Sequence, residues 1–159
     1  ADRYTYFPGC SLATTARENQ ASLIDVIGDL GIILTELDDW NCCGSSSAHS
    51  IDAELADRLA MRNLSLAPAD SPLLVACPSC HLRLMEAQLK LRTDAAARRR
   101  YKQWFGREAD PDLRIVHVFE LLAEVNWKMV HTNGRRPLDG LVVAPYYGCM
   151  LSRPPSMRR

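Results

Sequence analysis

Three separated groups of cysteines constrain this chain more than any other feature: Cys10, the adjacent pair Cys42-Cys43, and Cys77 with Cys80. Written out, the pattern is C-x31-C-C-G-x32-C-P-S-C. Each group directly follows a predicted strand. In an open parallel sheet the carboxyl ends of the strands line one edge, where ligands bind. The spacing therefore predicts that three groups far apart in sequence converge at one edge of a sheet.

Short apolar or β-branched runs alternate with stretches of helical periodicity along the chain. Predicted strands cover residues 3–7, 32–37, 73–76, 113–118 and 141–144. Predicted helices run from Thr14 or Thr15 to about residue 30, from Ser50 or Asp52 to 66, and over 81–91, 94–105 and 120–128. This alternation predicts an α/β fold: an open, mostly parallel sheet flanked by helices, with right-handed crossovers.

Composition excludes several classes of function. The chain has 159 residues, with 19 basic and 19 acidic side chains, so net charge gives no drive toward nucleic acid. No apolar run approaches the roughly 20 residues of a membrane-spanning helix. The first residues lack the basic and apolar regions of a signal peptide, which predicts a cytoplasmic protein. In that reducing compartment, six cysteines favour metal ligands or redox groups over a disulfide scaffold.

The segment Cys77-Pro78-Ser79-Cys80 is ambiguous by itself. It suits half a zinc site, half an iron–sulfur site or a thioredoxin-like redox pair. A structural zinc takes four ligands, as does an ordinary cubane cluster, so five cysteines are one too many for either. Cys42 and Cys43 would need strained geometry to bind one iron, but they can reach different irons of an open, irregular cluster. The pattern favours a multi-iron cluster, with zinc and reactive dithiols as alternatives.

An internal repeat points to a second site. The run Tyr6-Phe7-Pro8-Gly9-Cys10-Ser11-Leu12 is similar to Tyr146-Tyr147-Gly148-Cys149-Met150-Leu151, allowing one gap. Each run ends in Gly-Cys-x-Leu after a predicted strand. We therefore predict a first domain over residues 1–130, a polar linker over 131–140, and the start of a second, incomplete domain over 141–159. The complete protein would then be roughly twice as long as this chain.

The cysteine pattern resembles that of the CCG domain. The strings Tyr4–Ser11 and Glu36–Gly44 resemble the B-type subunit of heterodisulfide reductase, including its relatives in sulfur-oxidising bacteria. That resemblance implies two CCG domains, each holding a non-cubane [4Fe-4S] cluster. The implied ligands of the first cluster are Cys10, Cys42, Cys43, Cys77 and Cys80, and Cys149 is the implied first ligand of the second.

The resemblance also implies a function: the iron–sulfur catalytic subunit of a heterodisulfide reductase or reductase-like complex. In the family a disulfide is bound between the two clusters and split homolytically. Electrons pass from a flavin subunit to a partner subunit that carries ordinary [4Fe-4S] clusters, and from there to this subunit. Relatives in sulfur oxidisers are expected to act in the oxidative direction on a thiol or carrier-bound sulfur compound. The alternatives are a redox subunit for hydroxy-acid oxidation or quinone reduction, and a structural zinc module.

Other side chains are weaker candidates. His49 and His81 follow the cysteine groups. His49 is a candidate pocket residue, with a solvent-exposed loop position as an equal alternative. His81 is a candidate proton donor or hydrogen-bond donor to a cluster sulfur, but an exposed position in the first helical turn is favoured. His117 lies in the predicted strand 113–118, where a core or edge residue with its hydrogen bonds satisfied is the favoured interpretation, and it also resembles a family position near the cluster. Trp40 is expected to pack beside the Cys42-Cys43 loop and exclude water. The basic run from Arg98 to Lys102 predicts a solvated helix face, with a docking patch for a partner as the alternative.

Overall fold

A computed structural model describes residues 2–45, 47–127, 140–146, 148 and 150. Its centre is a four-stranded sheet in which every pair of neighbouring strands is parallel. The strands are β1 (Arg3–Phe7), β2 (Ile33–Glu36), β3 (Leu73–Val75) and β4 (Ile115–His117), in the order β2-β1-β3-β4. The predicted α/β fold and the positions of the first four strands are confirmed.

Helices occupy the connections between strands, as a parallel sheet requires. They are α1 (Gly9–Ala13), α2 (Arg17–Asp29), α3 (Ala48–Ile51), α4 (Ala53–Leu66), α5 (Pro78–Thr93), α6 (Ala95–Phe105) and α7 (Val118–Glu124). Among the described residues, no helix combines the length and apolar character needed to cross a bilayer.

The core has two parts, one on each face of the sheet. On one face, Phe7, Leu73 and Val75 pack with buried side chains of α4, α5 and α6. On the other, Tyr6 and Leu74 pack with Ile27 of α2 and Leu121 of α7. Successive strand residues point to opposite faces, which explains why Leu73 and Leu74 belong to different parts of the core. The two-sided cover fits the nearly continuous apolar character of β3.

Several helix boundaries differ from the sequence prediction, and two of these differences lie beside cysteines. The single helix expected from Thr14 or Thr15 to residue 30 is two helices, because Thr14 leaves helical geometry (φ −125°, ψ −80°) and its hydroxyl donates to the Cys10 carbonyl. Helix α5 begins at Pro78 rather than His81, since proline fits the first helical position, where no N–H is needed. Cys10 and Cys80 therefore lie within helical turns.

The predicted fifth strand is wrong. Residues 141–146 form no strand, and Val142 is 96% exposed. An apolar run becomes a strand only by pairing with a neighbour, and this run pairs with none of the described strands. Most of the predicted linker lies outside the described residues.

Candidate functional site

The candidate site lies where the direction of the strand order reverses. The chain passes from β1 outward to β2, then returns across β1 to β3, and continues to β4. In open α/β sheets such a reversal leaves a crevice at the carboxyl ends of the two central strands, where ligands bind. Cys10 follows β1 and Cys77 follows β3, so these two cysteines flank that crevice.

The thiols of the five described cysteines form a group of three, Cys43, Cys77 and Cys80, and a pair, Cys10 and Cys42. The Sγ atoms of Cys43 and Cys80 are 3.1 Å apart. The Cys80 thiol also hydrogen-bonds to Cys77, and the Cys42 thiol hydrogen-bonds to Cys10. None of the five forms a disulfide. The structure thus brings together the three cysteine groups of the sequence pattern, while Cys149 lies outside the described residues.

Gly9, the first residue of α1, permits the close approach of α1 to Cys80 of α5. Its backbone has φ +73°, and a Cβ atom there would lie 2.9 Å from the Cys80 Sγ. Gly44 has φ +80°, and a Cβ atom there would lie 3.3 Å from the Ala56 carbonyl oxygen of α4. Both positions combine a left-handed backbone with restricted space, so glycine is required on both counts.

A polar network that the sequence analysis missed holds the Cys42-Cys43 loop against α4. The fully buried Asn63 accepts the Asn41 N–H through Oδ1 and donates to the Asn41 carbonyl through Nδ2, each at 2.9 Å. Asn41 Nδ2 donates to the Leu59 carbonyl at 3.0 Å, and Arg62 donates to Asn41 Oδ1 at 2.9 Å. An asparagine on the buried stripe of α4 was the available signal, because a buried amide needs partners.

The start of α5 stabilises thiolates at two positions. A hydrogen bond from the Cys80 thiol lowers the pKa of Cys77 to about 6, with help from the N–H groups of the first helical turn. The same thiol lowers the pKa of Cys43 to about 6, assisted by Ser45. Free N–H groups and the positive end of the helix dipole favour anionic sulfur at such a position.

The remaining thiols hold their protons more tightly. The pKa of Cys80 is raised because its proton is shared with Cys43 and Cys77. Burial raises the pKa of Cys42, and the Gly44 N–H opposes this in part. In the metal-free protein, Cys80 therefore keeps its proton and lies between Cys43 and Cys77.

The donor set suits a cluster with several irons. Within the described part of the chain, no three His, Cys, Asp or Glu side chains are arranged to hold a single metal ion. A polynuclear cluster makes a different demand, because each iron takes its own thiolate at a separate point. Five converging thiols, two of them with lowered pKa, meet that demand, and the absent Cβ of Gly9 leaves room beside them.

The histidines occupy different environments. His49 is exposed on α3, whereas Nε2 of His81 is buried in the first part of α5. The ring of His81 contacts that of His117, with centroids 5.3 Å apart. Burial lowers the pKa of His117 to about 4, and the nearby His81 acts in the same direction. The structure thus joins two of the predicted candidates and leaves His49 apart.

Trp40 packs beside the cysteine loop, as predicted. Its ring meets Phe7 edge-on at 5.5 Å, within the part of the core that includes Cys43 and Cys80. Its Nε1 donates to the Glu36 carboxylate at 2.8 Å. The indole therefore packs beside β2 against the part of the core to which these two cysteines belong.

Part of the basic run on α6 has a structural role. Arg98 donates to the carbonyls of Leu91 and Arg92, which end α5. Arg100 lies 3.9 Å from Asp94, the N-cap of α6. These contacts support the prediction of an ordinary helix face more than that of a docking patch.

Comparison with known proteins agrees with the cysteine pattern. The family described as CCG, cysteine-rich domain, matches residues 4–85, which include all five described cysteines. The chain is 33% identical over 156 residues to the 8-methylmenaquinol:fumarate reductase membrane anchor subunit of Wolinella succinogenes, covering 95% of this chain and 54% of that protein. It is 28% identical over 153 residues to a protein of Archaeoglobus profundus that is named as similar to the B-type subunit of heterodisulfide reductase. This match covers 92% of this chain and 51% of that protein. The chain spans about half the length of these curated relatives.

Proposed function

Because the chain belongs to the CCG cysteine-rich domain family, we propose that it is part of a redox subunit whose five described cysteines bind an iron–sulfur cluster. The convergence of five thiols at the switch point of the sheet carries this proposal. When bound, such a cluster supplies one-electron transfer. The relatives named as reductase subunits support a role within a larger complex.

The finer proposal is a non-cubane [4Fe-4S] cluster held by Cys10, Cys42, Cys43, Cys77 and Cys80. Adjacent cysteines in this structure face different neighbours: Cys42 contacts Cys10, whereas Cys43 contacts Cys80. That divergence supports binding of Cys42 and Cys43 to different irons. An ordinary cubane would leave one of the five thiols without an iron.

We further propose that a second CCG domain begins near residue 141, after a first domain over residues 1–130 and a linker over 131–140. Cys149 would be the first ligand of a second cluster. The repeated Gly-Cys-x-Leu sequence supports this, as does the half-length match to both relatives.

The proposed reaction is electron transfer to or from a sulfur substrate: a small disulfide or thiol, or a carrier-bound sulfur compound. The similarity to the heterodisulfide reductase relative supports it. The proposed partners are an iron–sulfur subunit and a flavin subunit, in the cytoplasm. A second candidate is a redox subunit linked to a quinol, because the 33% identical relative is named for a quinol-dependent reductase.

Stopped-flow reoxidation of the full-length protein discriminates the two candidates. The anaerobic protein is reduced with dithionite and mixed with a small disulfide or a water-soluble quinone, and cluster absorbance is followed. Faster reoxidation by the disulfide supports the proposal, whereas reoxidation by the quinone alone supports the second candidate. Cys80→Ser is the control variant, because loss of this central thiol should abolish the cluster signal with either oxidant.

A further inference from the structure

His117 is held in one orientation at the end of β4. It is 2% exposed, and its Nδ1 accepts the Phe119 N–H at 3.2 Å. The backbone N–H of His117 donates to the Glu120 carboxylate at 2.9 Å, which completes a capping box at the start of α7. Because Nδ1 is an acceptor, the proton of the neutral imidazole is on Nε2, at the opposite side of the ring.

The ring of His117 lies close to both ends of the segment Cys77–Cys80. The His81 ring, directly after Cys80, packs edge-on against His117 at 5.3 Å and 74°. The backbone of Ala76, directly before Cys77, also interacts with the imidazole. This contact falls short of a well-formed hydrogen bond, because Nε2 has no partner of good geometry among the described residues.

A helix cap does not by itself call for histidine. Serine, threonine, asparagine and aspartate are the preferred N-cap residues, and each supplies the same acceptor with a smaller side chain. What histidine adds is an aromatic ring, which packs edge-on against the ring of His81. The buried imidazole thus links the start of α7 to the segment that carries two of the five thiols.

We propose that His117 is a positioning residue for the iron–sulfur site: acting through His81 and Ala76, it fixes the segment Cys77–Cys80 and thereby tunes the bound cluster. This inference rests on the proposed function. Groups behind the ligands orient them in metal sites and adjust reduction potentials through hydrogen bonding and solvent access. Because the coupling runs through the His81 ring, the two histidines should act as one unit.

A double-mutant cycle in the full-length, cluster-loaded protein tests the inference. His117→Asn keeps a cap acceptor but removes the ring beyond it, and His81→Asn removes the same contact without touching α7. We expect each variant to shift the midpoint potential and the electron paramagnetic resonance spectrum, and the double variant to shift them no further than the larger single change. Unchanged potentials, or strictly additive shifts, would overturn the inference. Glu120→Gln preserves the capping box and should leave the potential unchanged.

A second measurement on metal-free protein separates this inference from the proposed function. The alkylation rate of Cys80 should rise in both single variants, again without additivity, while exposed Cys10 reacts at the wild-type rate and reports an intact fold. Wild-type protein that binds no iron would defeat the proposed function. Equal Cys80 rates in all variants would defeat the role of His117 whether or not a cluster binds.

Discussion

At the scale of single residues, the lack of a side chain at Gly9 lets the start of α1 lie close to Cys80 of α5. We expect Gly9→Ala to lower iron content and to cost about 1–2 kcal/mol in the free energy of unfolding, from the left-handed backbone, with further loss from the 2.9 Å approach to Cys80 Sγ. Gly31→Ala is the matched control, because Gly31 has φ +74° but nothing within 4 Å of an added Cβ. Urea unfolding and iron analysis measure both effects. Equal iron content in the two variants would contradict the close-approach argument.

His117 gives a prediction for acid stability. Burial and the nearby His81 lower its pKa to about 4, whereas Glu120 acts in the opposite direction. Between about pH 6.5 and about pH 4, His117 is protonated in the unfolded chain but neutral in the folded protein. The free energy of unfolding therefore falls as the pH falls through this range. His117 lowers the free energy of unfolding by at most about 3 kcal/mol over this pH range. In urea unfolding of metal-free protein from about pH 7 to about pH 5, His117→Asn should show a shallower loss. Parallel curves would contradict the assignment.

At the scale of elements, the sequence pattern located the four strands of the sheet. The strands around Tyr6, Leu34, Leu74 and Val116 were predictable from β-branched and apolar runs, and their order placed the cysteines at one sheet edge. The break at Thr14 was not, because it depends on a local hydrogen bond to the Cys10 carbonyl. The absence of a strand at Leu141–Ala144 was not predictable either, because pairing depends on a neighbour and not on the run itself.

The contact between α4 and the cysteine loop also escaped sequence reasoning, and it yields a further prediction. Asn63→Ala removes both hydrogen bonds to the Asn41 backbone and leaves those groups without their partner. We expect a loss of about 1–3 kcal/mol in the free energy of unfolding, together with reduced iron content. Asn19→Ala, on the exposed part of α2, is the control and should change neither quantity. Normal iron content in Asn63→Ala would show that the loop is held by other contacts.

At the scale of the whole molecule, the order of four parallel strands reverses between β1 and β3, and Cys10 and Cys77 follow these two strands. The chain matches about half of each relative, and the second domain and second site stay predictions. The approach of the three cysteine groups to one another was predictable, because each group follows a predicted strand. Their mutual contacts, with Cys80 between Cys43 and Cys77, required the structure.

Iron, acid-labile sulfide and zinc per chain, measured after strictly anaerobic purification, test the central claim most directly. A [4Fe-4S] cluster on the five cysteines predicts about four irons, about four sulfides and no zinc for each site. One zinc and no iron, after attempts at reconstitution, would contradict the redox account and identify a structural metal module.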